Sequence, residues 1–198
     1  GPDYVREKWS PAAKAVLRMG ERFGMVFSDA RIVISNVIRQ LVKDKYNRDS
    51  QCIPNGVEVP GDIKPDATLQ QFGLESGRYV LTVSRMVPEK RHLDLIRAFG
   101  NSGLQGWKLA LVGDLGADDA YVRQVKEAAE QSPQVVLTGF QTGHALAQLY
   151  GNAGVFVLPS THEGLPIALL EALSYGIPSI ASDIPANKEV ELDTEQYF

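Results

Sequence analysis

Tyr79-Val-Leu-Thr-Val-Ser84 is a short, nearly continuous apolar run. It reads as a strand buried on both faces. Downstream the pattern recurs with helical stretches between. Residues 92–99 put Leu93, Leu95, Ile96 and Phe99 on or near one side of a helix. Trp107-Lys-Leu-Ala-Leu-Val112 is a second strand and 119–130 a polar, amphipathic helix. Val135-Val-Leu-Thr138 is a third strand, 144–150 a short helix, and Val155-Phe-Val-Leu158 a fourth strand. A helix over 166–175 and the strand Ser179-Ile-Ala181 complete the series. This alternation predicts an α/β fold: a Rossmann-like parallel sheet with helices on both faces. Ligands of such sheets bind outside the carboxyl ends of the strands. The loops after Ser84, Val112, Thr138 and Leu158 are therefore the places to look for chemistry.

Upstream, Pro54-Asn-Gly56 is a strong turn signal, and 57–77 holds Pro60, Gly61, Pro65, Gly73 and Gly77. That stretch reads as a hinge or linker with one helical turn near 69–72. Residues 1–56 read as a helix over 11–27, a strand at Arg31-Ile-Val-Ile-Ser35, and a second helix to about 46, capped by Ser35 or Asn36. A short strand at 50–53 closes the segment. The expected organisation is a domain remnant over 1–56, a linker over 57–77, and a ligand-binding domain over 78–198 truncated at its end. Nothing resembles a Walker A loop, a nucleophile elbow or a zinc motif.

The 198 residues are 44% hydrophobic and 22% charged, with a net charge of −4. That balance argues against a nucleic-acid partner. Cys52 is the single cysteine, which excludes an internal disulfide and fits a reducing compartment. No apolar run approaches the roughly 20 residues of a membrane span, and a cytoplasmic location is the expectation.

The loop after Leu158 is Pro159-Ser-Thr-His-Glu-Gly-Leu-Pro166. Pro166 suits the first turn of a helix, and the amides of Gly164 and Leu165 would form an anion site at its start. Glu163 stands beside that site. Glu171 follows about two turns later, alone among apolar or small residues, and could accept hydrogen bonds from a vicinal diol. The competing structural reading makes Glu163 a helix cap and pairs Glu171 with a buried Arg or Lys. After Ser84 comes Arg85-Met-Val-Pro-Glu-Lys90, whose two cations could hold a diphosphate or could be plain surface charge. Gly139-Phe140 could lie near a base or form an ordinary turn, and His162 is more simply an exposed loop residue.

Glu163-Gly-Leu-Pro-Ile-Ala-Leu-Leu-Glu171 resembles the E-x(7)-E motif of retaining GT-B glycosyltransferases of family 4 (glycosyl transferases group 1). Val83-Ser-Arg-Met-Val-Pro-Glu-Lys90 resembles that family's first donor loop. Val112-Gly-Asp114, Leu137-Thr-Gly-Phe140 and Ser179-Ile-Ala-Ser-Asp-Ile-Pro185 follow in the family's order, and Ile53-Pro-Asn-Gly-Val57 resembles its interdomain hinge. The resemblance runs from about Asp3 to Glu189. It implies the C-terminal, nucleotide-sugar-binding half of a GT-B fold, preceded by a remnant of the acceptor-side domain.

The implied reaction is transfer of a hexosyl-type sugar from a nucleotide-diphosphate sugar to an acceptor hydroxyl, with retention and without a metal or further cofactor. By resemblance, Arg85 and Lys90 bind the diphosphate and stabilise the leaving group, and Gly164 and Leu165 add backbone amides. Glu163 touches the donor sugar, Glu171 the ribose, and Gly139 and Phe140 flank the base. Cell-surface polysaccharide synthesis is the expected setting, with a sugar or lipid-linked acceptor. Any peripheral contact with the inner membrane face would come from the missing half. The chain alone is expected to be inactive, with the remnant's apolar side open to dimerisation. The competing functions are a nucleotide-sugar 2-epimerase and a non-catalytic nucleotide-sugar-binding module.

Overall fold

A computed structural model describes residues 10–116 and 119–198. Asp3, where the resemblance begins, lies outside the described residues. The chain divides into two compact units, 1–56 with 163–165, and 57–162 with 166–198.

In the first unit, α1 (Pro11–Phe27) starts at Ser10, whose Oγ accepts the Ala13 amide, with Pro11 in the first turn. β1 (Ile32–Val33) leads to α2 (Asn36–Tyr46), capped by Ser35 Oγ through the Ile38 amide. β2 (Gln51–Cys52) pairs with β1 in parallel. α1 contains no buried residue, and Val16, Met19, Phe23 and Phe27 are each more than half exposed.

The second unit begins with α3 (Ala67–Gln71) inside the stretch expected as a linker. That stretch packs on the unit: Leu69 and Leu74 join its core, and the Lys64 carbonyl accepts from Gln148 Nε2 at 3.0 Å. Then follow β3 (Tyr79–Val83), α4 (His92–Asn101), β4 (Lys108–Val112), α5 (Ala120–Glu130), β5 (Val135–Gly139) and α6 (Gly143–Gly151). β6 (Val155–Leu158), α7 (Ile167–Ser174), β7 (Ser179–Ala181) and α8 (Pro185–Lys188) complete it. The five strands form one parallel sheet in the order β5-β4-β3-β6-β7.

Successive strand side chains point to opposite faces, and the cores divide accordingly. Tyr79, Leu81, Ala110, Val112, Phe156 and Leu158 pack with α3, α6 and α7. Val80, Leu109, Leu111 and Val157 pack with α4 and α5. Both faces are thus covered, as the apolar runs predicted.

Candidate functional site

The strand order changes direction at β3. Going forward in sequence, β4 and β5 extend one side of it, while β6 and β7 extend the other. The loops leaving β3 and β6 therefore depart to opposite faces, opening a crevice at the carboxyl ends of the sheet. Those are the loops that carry Arg85 and Lys90, and Glu163 through Leu165.

The first loop is shaped by its own backbone. The Ser84 amide continues the ladder to the Val112 carbonyl at 3.0 Å. Pro88 opens a short 3-10 turn (Pro88–Lys90), and Arg91 ends it with φ +55. The Arg91 amide donates to the Pro88 carbonyl at 3.1 Å, while its carbonyl accepts the Asp94 and Leu95 amides that start α4. Arg85 is exposed and Lys90 half-buried. Beneath them His92 is fully buried. Its Nε2 lies 2.8 Å from Ser84 Oγ, its amide donates to the Tyr121 hydroxyl at 2.9 Å, and its Nδ1 lies 3.2 Å from that hydroxyl. Burial, with the Lys90 charge adding to it, pushes the imidazole down to about 4, so it is neutral at pH 7. Gly113 closes the neighbouring strand end: a Cβ there would meet the Ser84 carbonyl oxygen at 2.2 Å.

The second loop leaves β6 at Pro159. The Thr161 amide donates to the Glu89 carbonyl at 2.9 Å, tying the two loops together across the crevice. Ser182 holds it from the β7 side, its hydroxyl donating to the Ser160 carbonyl. Ser160 is itself fully buried, and its Oγ has no hydrogen-bond partner. His162 is exposed. Glu163–Leu165 continue this loop along the chain and are counted with the first unit. The helix starts one position later than expected: Pro166 is the N-cap of α7, with φ −79 and ψ 76, and no side chain caps the helix there. Its carbonyl accepts from the Leu169 and Leu170 amides.

Glu171 lies in the second turn of α7, half-buried. Its partner is not the buried Arg or Lys of the structural reading but the hydroxyl of Tyr150, 2.8 Å from Oε2. Gly139 ends β5 with φ +74, a conformation that excludes most side chains. Phe140 beside it is 71% exposed, so it does not serve the core. The structure brings the Arg85–Lys90 loop and the start of the 159–166 loop together by hydrogen bonds. Gly139 is linked to the same edge through its carbonyl, which accepts the Gly113 amide at 3.0 Å. Thr161 and Tyr150 were missed by sequence reasoning. One acts chiefly through its main chain, with its hydroxyl adding a 3.3 Å bond to the same Glu89 carbonyl, and the other looks like any core residue on an amphipathic helix. Among the described residues no acidic, His or Cys cluster could hold a metal ion, and no helix is long and apolar enough to cross a membrane.

The sequence model of the glycosyl transferases group 1 family matches residues 66–198, and the chain belongs to that family. The amylovoran biosynthesis glycosyltransferase AmsD of Erwinia amylovora is 33% identical over 147 residues, 71% of this chain and 41% of that protein. A UDP-Gal:alpha-D-GlcNAc-diphosphoundecaprenol alpha-1,3-galactosyltransferase of Escherichia coli is 33% identical over 146 residues, 68% of this chain and 37% of that protein. Among solved structures, Anabaena HepE in complex with UDP and glucose superposes with a TM-score of 0.79 at 22% identity, covering 96% of this chain and 53% of that one. That likeness establishes the shared fold. The chain spans roughly two-fifths of the length of the first curated relatives it matches.

Proposed function

We propose that this chain supplies the donor half of an enzyme that moves a sugar from a nucleotide-diphosphate sugar to an acceptor hydroxyl, with retention of configuration. The observation that carries the reading is the bond from the Thr161 amide to the Glu89 carbonyl, which clasps the Arg85–Lys90 loop to the loop opening α7 at the crevice of the sheet. Arg85 and Lys90 meet the diphosphate and stabilise the charge that grows on it as the glycosidic bond breaks. With the amides of Gly164 and Leu165 they meet that charge without a metal. Glu163 binds hydroxyls of the transferred sugar and Glu171 those of the ribose, while Gly139 and Phe140 flank the base. Relatives named for amylovoran and O-antigen synthesis support a role in surface polysaccharide assembly. HepE, solved with UDP and glucose, supports a nucleotide-sugar donor.

The relatives are more than twice as long as the segment they share with this chain, so these 198 residues alone bind donor weakly and do not turn it over. Calorimetric titration with UDP, GDP, ADP and dTDP tests the reading. One of the four gives heat, and Arg85→Ala or Lys90→Ala weakens it by about tenfold, the worth of a charge-assisted hydrogen bond. Silence from all four on the folded protein counts against it.

A further inference from the structure

Glu171 is the one charged residue of α7, and the core provides it with one fixed partner. Tyr150, near the end of α6, is 1% exposed. Its hydroxyl lies 2.8 Å from Glu171 Oε2 and 3.3 Å from the Ala168 carbonyl oxygen. A phenol has one proton to give, and the nearer, charged acceptor takes it. The ring is held by its neighbours: Tyr175 stacks at 5.3 Å with 15° between planes, and Phe156 lies 6.0 Å away at 34°. Burial, and then the adjacent Glu171 charge, push this phenol far above its ordinary pKa, so it keeps its proton. The Glu171 main chain is fixed as well, its carbonyl accepting from Ser174 Oγ at 2.8 Å and the Tyr175 amide at 3.2 Å. Oε2 is thus engaged from the core side, while among the described residues Oε1 has no hydrogen-bond partner.

We propose that Tyr150 is a positioning residue for donor recognition: it turns the Glu171 carboxylate so that Oε1 receives the ribose 2′-hydroxyl, and so sets a preference for ribonucleoside over 2′-deoxyribonucleoside diphosphates. The inference rests on the donor reading above and names what would give that site its sugar specificity. A carboxylate already held in place loses less rotamer freedom on binding, so its hydrogen bond is worth more. Without the phenol the carboxylate rotates, and the penalty for a missing 2′-hydroxyl shrinks.

The test compares UDP with 2′-deoxy-UDP, and likewise the GDP and ADP pairs, by calorimetry. The proteins are the wild type, Tyr150→Phe and Tyr79→Phe. Phenylalanine at 150 keeps the ring and its stack on Tyr175, so the variant is expected to fold, and a thermal melt checks this. Tyr79 is the control, because its buried hydroxyl donates to the Leu149 carbonyl at 2.7 Å and does not touch Glu171. The wild type should favour the ribonucleotide by about tenfold, and Tyr79→Phe should keep that ratio. Tyr150→Phe should bring it within about twofold, the level expected once the hydrogen bond is no longer oriented. A full preference retained in Tyr150→Phe, an equal loss in Tyr79→Phe, or a wild type indifferent to the 2′-hydroxyl overturns the role of Tyr150 and leaves the donor reading standing. Binding of no nucleotide by the wild type overturns the donor reading and this inference with it.

Discussion

Two adjacent residues in the first loop carry opposite kinds of cost. Arg91 sits at φ +55, where a Cβ costs about 1 kcal/mol or more. It is kept there because its amide ends one turn and its carbonyl begins α4. Its 2.5 Å contact with Asp94 is about half exposed and offsets little. Arg91→Gly should therefore stabilise the fold by about 1 kcal/mol, raising Tm by about 2–4 °C in a thermal melt. His92 is the opposite case, a buried group whose cost appears only in acid. Its folded value of about 4 lies below the ordinary 6.5, so between those values the unfolded chain binds the extra proton. Stability from this group is complete above about pH 6.5 and is lost as pH falls toward 4, by on the order of 3 kcal/mol. Denaturant titrations across that range should show the slope, and His92→Gln should flatten it.

At the scale of elements, most of the fold was legible because long periodic segments declare themselves. The bounds of α1 were read as the structure has them, and β6 and β7 likewise. What escaped was short. The 3-10 turn Pro88–Lys90 and the four-residue α8 are too brief for a period to show. Pro166 was read as the first helical residue because proline fits there, yet it adopts a cap conformation. The site was half legible. Glycines, cations and carboxylates at strand ends point to a ligand, but the partner of Glu171 comes from a different helix, and no linear spacing reveals it. α1 raises a separate expectation. Its stripe of Val16, Met19, Phe23 and Phe27 is exposed, and we propose that it drives self-association. Light scattering should show mass rising with concentration, and Phe23→Ser with Phe27→Ser should abolish the rise. A monomer at all concentrations refutes it.

Across the whole molecule, the second unit has what an independent domain needs: a five-stranded parallel sheet with apolar cores on both faces. The stretch expected as a linker belongs to that core through Leu69 and Leu74. A chain beginning at Val57 should therefore fold and melt cooperatively, while one beginning at Arg78, which lacks α3, should lose stability by several kcal/mol, about the worth of two buried leucines. Scanning calorimetry of both would decide it. The bond between Thr161 and Glu89 has a different consequence, because both of its ends belong to the main chain. The Thr161 hydroxyl adds a longer bond to the same carbonyl at 3.3 Å, so alanine at 161 would trim the fastening and leave its main-chain half. Evolution could redraw the other side chains on either loop without loosening it. Proline at 161, or an ester in place of that amide, would cut the main-chain half.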